Sequence, residues 1–118
     1  MSLRDLFLNL SVAKERFYVP EIDGEVEIRG ITARQRTILY DRAMTFDKKG
    51  RPKVDMAVYK ALLLTMSVYD PSTGEPVFGE GDMDAIADLP GSIVERLAVP
   101  AMDLSGLGLE AEQEAEKN

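Results

Sequence analysis

The hydrophobic positions near the start of the chain repeat with the period of an α-helix. Four large apolar residues stand at i, i+3, i+4 and i+7: Leu3, Leu6, Phe7 and Leu10. Ser2 precedes them, and a serine side chain can accept a hydrogen bond from an amide in the first helical turn. The pattern therefore predicts a short amphipathic helix that begins after Ser2.

A period of two replaces this pattern in residues 16–30. Val26 and Ile28 alternate with charged residues, as in a strand with one buried face. Asp23 and Gly24 lie in the middle of the segment, and this pair favours the tight two-residue turn of a two-stranded β-hairpin. Pro20 has no amide proton to donate, so we expect the first strand to lie at the edge of the sheet.

Helical periodicity returns after the hairpin. Thr32 and Gln35 have the spacing of a capping box, which predicts a helix that runs to about Phe46. A polar stretch follows, and its glycine and proline end regular structure. Residues 54–69 then carry a broad apolar band, which predicts the most buried helix of the protein.

Two shorter helices are predicted in the C-terminal third. Asp82 can cap the first, and Ser92 with Glu95 forms a capping box for the second. Residues 110–118 are acidic and polar, which predicts a solvated tail. We expect a mainly α fold, α+β with a small N-terminal β-hairpin, in which residues 1–109 form a compact single-domain bundle of about five helices.

Composition fits this fold and restricts the available chemistry. Of the 118 residues, 45% are apolar and 30% are charged, as in globular domains. The sequence contains no His and no Cys, so imidazole bases, thiolate nucleophiles and metal sites built from these residues are excluded. The carboxylates show no arrangement of base and nucleophile. We therefore expect a protein that is not an enzyme and uses no cofactor or metal.

Charge is distributed unevenly along the chain. Residues 1–28 sum to −3, residues 29–53 to +6 and residues 54–118 to −10, for a net charge of −7. The overall negative charge argues against nucleic-acid binding, because duplex affinity comes largely from neutralising phosphates. No apolar run approaches the ~20 residues of a membrane span. We expect a cytoplasmic protein that binds neither nucleic acid nor membrane.

The opposite charges of the two later segments favour weak, salt-sensitive contact between copies of the chain or with a partner of mixed charge. The alternative is that these charges only solvate the helix surfaces. Methionine adds adaptable apolar surface. The candidate protein-interaction residues are Arg34, Arg42, Lys48, Lys49, Arg51, Met56, Met66, Phe78, Glu110 and Glu112.

Several short patterns follow one another in a characteristic order. In chain order they are a hairpin, a helix that begins at Thr32, a long apolar helix, DPSTGEPVF at 70–78, a short helix, Leu89-Pro90, a helix that ends in Leu104-Ser105-Gly106-Leu107, and the terminal EAEKN. This order resembles that of the tail assembly chaperones of long-tailed bacteriophages. The resemblance covers roughly residues 25–118 and is most specific in the C-terminal third.

The resemblance implies a non-enzymatic protein of the host cytoplasm that is absent from the mature virion. It implies binding to the tape measure protein before the tail tube polymerises, and self-association into a spiral or head-to-tail oligomer. A frameshift-extended form of the chain and the tail tube protein are its further implied partners. Lys117 and Asn118 fit a programmed frameshift, because the slippery codons AAA AAC can encode them.

The sequence is also compatible with a second class of protein. A minor structural or connector subunit of a phage tail would also self-associate, but it would stay in the particle. The chaperones share no fixed functional positions, so the candidate residues rest on surface chemistry and charge alone.

Overall fold

The computed structural model describes residues 1–107, in which five α-helices and five strands are found. The helices are α1 Leu3–Leu8, α2 Ala33–Ala43, α3 Met56–Ser67, α4 Met83–Ala87 and α5 Gly91–Leu104. The strands are β1 Lys14–Val19, β2 Gly24–Arg29, β3 Met44–Phe46, β4 Pro52–Val54 and β5 Val68–Tyr69. The boundary predicted at residue 109 and the tail predicted at 110–118 lie outside the described residues.

The predicted N-terminal hairpin is confirmed, but its turn is longer than expected. β1 pairs with β2 in antiparallel register along its whole length and forms an edge of the sheet. Pro20 begins a 3₁₀ turn, Pro20–Ile22, and Asp23 then adopts φ 47°, in the left-handed region. Gly24 is already the first paired residue of β2. The prediction of a two-residue Asp-Gly turn is therefore wrong, since proline directs the chain into a helical turn first.

The protein contains more β structure than the sequence predicted. β5 adds a third strand beside β2, with Val68 opposite Ile28, because α3 ends at Ser67 and not at Tyr69. β3 and β4 form a separate hairpin where the sequence predicted helix to Phe46 and then an irregular loop. β-Branched and aromatic residues, which favour extended backbone, occupy these short strands. The predicted mainly helical bundle is thus confirmed only in part, and the fold is α+β.

The ends of the helices confirm some predicted caps and not others. The Thr32 hydroxyl accepts a hydrogen bond from the Gln35 amide at 3.1 Å, as the capping box predicts. Asp82 precedes α4 but does not cap it, because its carboxylate instead accepts from the Gly79 amide at 2.7 Å. α5 begins at Gly91, one residue before the predicted cap Ser92, and no side chain caps it.

One hydrophobic core joins the helices to the three-stranded sheet. α3 lies at its centre and packs against α2, α4, α5 and β2. Its buried residues are Tyr59, Ala61, Leu62, Leu63, Leu64 and Ser67. The prediction that this segment forms the most buried helix is confirmed. Each large apolar side chain removed from water here contributes about 1.5–3 kcal/mol to folding.

The C-terminal end of α5 is fixed by a glycine in the left-handed conformation. Gly106 adopts φ +70°, and the Leu107 amide donates to the Met102 carbonyl at 2.7 Å. This bond spans the last turn as in a Schellman motif, in which glycine is the preferred residue. Leu107 is thereby turned back into the core, where it is 1% exposed.

Ser105 ties this helix end to the segment between β2 and α2. Its hydroxyl accepts a hydrogen bond from the buried Ile31 amide at 3.0 Å, and its carbonyl accepts one from the Arg36 guanidinium. Gly30 lies so close that a Cβ built on it would stand 2.5 Å from the Leu104 carbonyl oxygen. We call residues 30–31 with 104–105 the α5 joint.

We predict that Gly30→Ala lowers the free energy of unfolding by about 1–3 kcal/mol, because the added methyl group forces backbone out of its position. Gly91→Ala is the matched control, since nothing lies within 4 Å of a Cβ there. Urea unfolding followed by circular dichroism measures both changes. Equal midpoints for the two variants would contradict the importance of the α5 joint.

Candidate protein-binding groove

A groove with a volume of about 520 Å³ lies between α2, the end of α3 and residues 76–80. Most of its lining is apolar, and the apolar residues are Ile38, Leu62, Met66, Tyr69, Pro76 and Phe78. Leu62 is buried at the bottom, whereas Ile38 on α2 is exposed at the rim. We call this site the α2–α3 groove. Its volume is in the range of protein sites that take an organic ligand or several side chains.

The segment 70–78 folds back along β5 and forms one wall of the groove. Tyr69 pairs with Pro76 in an isolated antiparallel bridge. The Val77 amide donates to the Val68 carbonyl at 2.9 Å, which continues this pairing. The aromatic side chain at the last position of the segment is thereby brought against α3, where it packs on the core.

An arginine fixes the aromatic ring at the other end of this wall. The Cζ atom of Arg29 lies 3.8 Å from the centroid of the Tyr69 ring, in the geometry of a cation–π contact. The Arg29 Nε donates to the Glu27 carboxylate at 2.6 Å. This hydrogen bond holds the pKa of Glu27 below its usual value, because it stabilises the ionised carboxylate. Glu27 thus holds Arg29, and Arg29 in turn lies over the Tyr69 ring.

A surface ion pair connects α2 to the rim of the groove. The Arg42 guanidinium donates to the Glu80 carboxylate, which belongs to the 3₁₀ turn Glu80–Asp82. Both side chains are well exposed, and such pairs contribute only ~0 to 1 kcal/mol. Breaking this ion pair therefore costs the protein little stability.

The structure brings three of the ten predicted interaction residues together at this groove. Met66 and Phe78 line it, and Arg42 reaches its rim. Arg34 is exposed on the first turn of α2, and Met56 is exposed at the start of α3, but neither lines the groove. The remaining predictions lie elsewhere or beyond residue 107: Lys48, Lys49, Arg51, Glu110 and Glu112.

The three basic residues among these lie in the turn between β3 and β4. The Asp47 carboxylate accepts hydrogen bonds from the Lys49 amide, the Arg51 amide and the Arg51 guanidinium, each at 2.9 Å. The hydrogen bond from the Arg51 amide contributes most to lowering the pKa of Asp47 below its usual value. The bonds from the Lys49 amide and the Arg51 guanidinium act in the same direction. Lys48 is exposed and does not line the groove. The turn is organised by its own residues.

α1 presents a second apolar surface. The Ser2 hydroxyl accepts from the Asp5 amide at 3.1 Å, so the predicted helix and its cap are confirmed. No residue of α1 is buried, and the members of the predicted apolar stripe are 53–74% exposed. Leu3, Leu6 and Phe7 of this stripe lie on α1, whereas Leu10 follows the end of the helix at Leu8. The pattern of the sequence revealed the stripe but not that the other residues of 1–107 leave it uncovered.

Two further properties of residues 1–107 concern membranes and metal ions. None of the helices there is both long enough and apolar enough to cross a membrane. Within the same residues, no three acidic side chains are grouped so that they hold a metal ion.

The lowered pKa of Asp47 predicts that the β3–β4 turn loosens in acid. A carboxylate whose pKa is depressed by folding stabilises the fold above its unfolded pKa of about 3.9, and this contribution is lost as the pH falls through the native value. The Lys49 and Arg51 amide signals followed by NMR should titrate below that value and, in acid, lose their protection from exchange relative to unstructured amides at the same pH. In Asp47→Asn this titration should be absent. A midpoint at or above the usual value for aspartate would contradict the assignment.

The architecture is similar to that of a solved phage protein. The structure of the bacteriophage HK97 tail assembly chaperone matches this chain with a TM-score of 0.56 and 18% sequence identity. The match covers 86% of this chain and 91% of that chain. No family model and no curated protein sequence matches the chain. The predicted resemblance to tail assembly chaperones is therefore confirmed in the fold, which this chain shares with the HK97 protein.

Proposed function

We propose that this protein is a phage tail assembly chaperone, which binds the tape measure protein before the tail tube polymerises. The observation that supports the proposal is the apolar α2–α3 groove, exposed on a chain whose fold is that of the HK97 tail assembly chaperone. In this proposal the protein acts by binding and not by catalysis. It works in the host cytoplasm and leaves the tail before the virion is complete.

The groove suits an apolar helical segment of a long partner. A helix that lies in such a groove inserts side chains from one face, spaced by three or four residues. The floor and both walls offer apolar contacts, and Gln35 and Thr65 offer polar groups beside them. Met66 is flexible and polarisable, so it adapts to side chains of different shape. A chaperone that binds several segments of one partner benefits from such adaptability.

The proposal also includes the other interactions that the resemblance to tail assembly chaperones implies. Self-association, a frameshift-extended form of the chain and contact with the tail tube protein belong to the same proposal. A minor tail or connector subunit is the alternative, and it differs in one measurable property. Mass spectrometry of purified particles should find no copy of the chaperone, whereas a tail subunit would be present.

We predict that Ile38→Glu reduces the tape measure protein that co-purifies with this chain by about tenfold or more, the loss expected when an interface anchor is replaced. Ile38 is 41% exposed on the rim, so the added carboxylate stays solvated in the free protein but opposes an apolar helix in the groove. The measurement is affinity purification after co-expression with the tape measure protein of the same phage.

Val99→Glu is the matched control for this experiment. Val99 is also an exposed β-branched residue within a helix, but it lies outside the groove. The control should retain the tape measure protein at the level of the unchanged chain. Equal loss in both variants, or no loss in either, would show that the groove is not the binding site.

A further inference from the structure

We propose that the α2–α3 groove selects a partner helix whose apolar face carries one carboxamide side chain, that of asparagine or glutamine. This inference rests on the proposed function, because it names the chemistry of the segment that the groove binds. Two half-buried polar residues of the lining, Gln35 on α2 and Thr65 on α3, carry the argument.

The other polar groups of the lining discriminate less between ligands. The Glu80 carboxylate already accepts from the Arg42 guanidinium, and the Gly79 amide already donates to the Asp82 carboxylate. The Tyr69 hydroxyl can donate or accept, so it adapts to either kind of ligand group. Selection by hydrogen bonding therefore falls to the two residues whose bonding capacity is partly used within the chain.

Gln35 offers a donor to the groove. Its Oε1 atom accepts a hydrogen bond from the Thr32 amide at 2.9 Å, as one half of the capping box at the start of α2. A backbone amide only donates, so the atom that faces it is the oxygen of the side-chain amide. The cap thereby holds the oxygen at the backbone. The Nε2 atom, with two N–H groups and no acceptor among residues 1–107, remains for a ligand.

Thr65 offers an acceptor. Its hydroxyl donates to the Leu62 carbonyl at 2.6 Å, within the same helix. A hydroxyl has one proton to donate and two lone pairs to accept with. Because that proton is already used, the Thr65 oxygen can only accept from a ligand. One helix of the groove thus presents a donor, and the other presents an acceptor.

A carboxamide satisfies both groups at once. Its oxygen accepts from the Gln35 Nε2 atom, and its nitrogen donates to the Thr65 hydroxyl oxygen. These two polar atoms are separate, so a carboxamide reaches groups on two different helices more readily than the single oxygen of a serine or threonine. The rest of the partner face remains apolar, as the remainder of the lining requires.

Other side chains leave part of this pair unsatisfied. A carboxylate accepts from Gln35 but opposes the oxygen of Thr65 and the carboxylate of Glu80. An ammonium group donates to Thr65 but faces the N–H groups of Gln35. An apolar side chain removes water from both residues and replaces none of its hydrogen bonds. Because polar groups that lose water without gaining a partner weaken binding, the groove prefers the carboxamide.

The test begins with an array of overlapping ~20-residue peptides, each long enough for several helical turns, from the tape measure protein and the other tail proteins of the same phage. A bound peptide is assigned to the groove if Ile38→Glu weakens its binding and Val99→Glu does not. We expect every assigned peptide to carry Asn or Gln on its apolar face. Assigned peptides without either residue would overturn the inference.

The array separates this inference from the proposed function. Tape measure peptides that bind in the groove without a carboxamide would contradict the inference alone. Carboxamide peptides that come only from other tail proteins would contradict the proposed function alone. An array in which no peptide binds in the groove would overturn both.

Calorimetric titration of one assigned peptide then measures the contribution of the carboxamide. Replacement of that peptide residue by leucine should weaken binding to the unchanged protein by about tenfold. Thr65→Val should weaken binding of the original peptide by a similar factor. Thr37→Val is the matched control, because the Thr37 hydroxyl also donates within its own helix, to the Ala33 carbonyl at 3.2 Å, but lies outside the groove lining. Equal affinities for the leucine and the original peptides would overturn the inference.

Gln35→Glu gives the decisive measurement. Glutamate keeps the capping box, since its carboxylate still accepts from the Thr32 amide, but it offers the groove an acceptor in place of a donor. This variant should bind the original peptide about tenfold more weakly and should prefer a peptide in which lysine replaces the carboxamide residue. A purely structural role of Gln35 would weaken both peptides alike, and that result would overturn the inference.

Thr37→Glu is the control for the added charge. It places a carboxylate on the same helix, outside the groove lining, and circular dichroism checks that both variants are folded. This control should keep the preference of the unchanged protein for the carboxamide peptide. A preference for the lysine peptide in Thr37→Glu as well would assign the effect to overall charge and would contradict a role of the Gln35 donor.

Discussion

The close backbone contact at the α5 joint is the constraint on which the arrangement of the other elements depends. Only a residue without a Cβ lets the end of β2 approach the Leu104 carbonyl as closely as Gly30 does. That approach brings the Ile31 amide to the Ser105 hydroxyl, which satisfies a buried donor. The Arg36 guanidinium adds a bond from α2 to the same serine. One point thereby fixes the sheet, α2 and α5 relative to one another.

The α2–α3 groove follows from this fixed arrangement of the sheet, α2 and α5. α2 starts two residues after Ile31 and packs against α3, so the joint fixes where the α2 wall of the groove begins. α3 passes directly from Ser67 into β5, and this transition without a loop places Met66 and Tyr69 beside each other along the groove. Segment 70–78 then returns along β5 and supplies the opposite wall. Apolar side chains at this site remain partly exposed because no further element of residues 1–107 covers them.

The sequence predicted what depends on local chemistry. The capping box of Thr32, the cap of α1 and the apolar band of α3 are encoded within a few residues of one another, and all three are found. β3, β4 and β5 were missed, since strands of two or three residues are stable only through partners distant in sequence. The groove was missed for the same reason. Arg42, Met66 and Phe78 were selected by side-chain chemistry, but only tertiary structure places them together.

Two physical effects differ in how much they contribute at the surface of this protein: contact between exposed charges and burial of apolar side chains. The opposite charges of residues 29–53 and of the later segment suggested electrostatic contact, but exposed pairs contribute only ~0 to 1 kcal/mol and are screened beyond ~8 Å at physiological salt. Part of the basic segment is also occupied within the chain, by Asp47 and Glu80. A large apolar side chain that leaves water contributes about 1.5–3 kcal/mol. One apolar side chain of the α2–α3 groove that leaves water is therefore worth more than any of the exposed ion pairs around it.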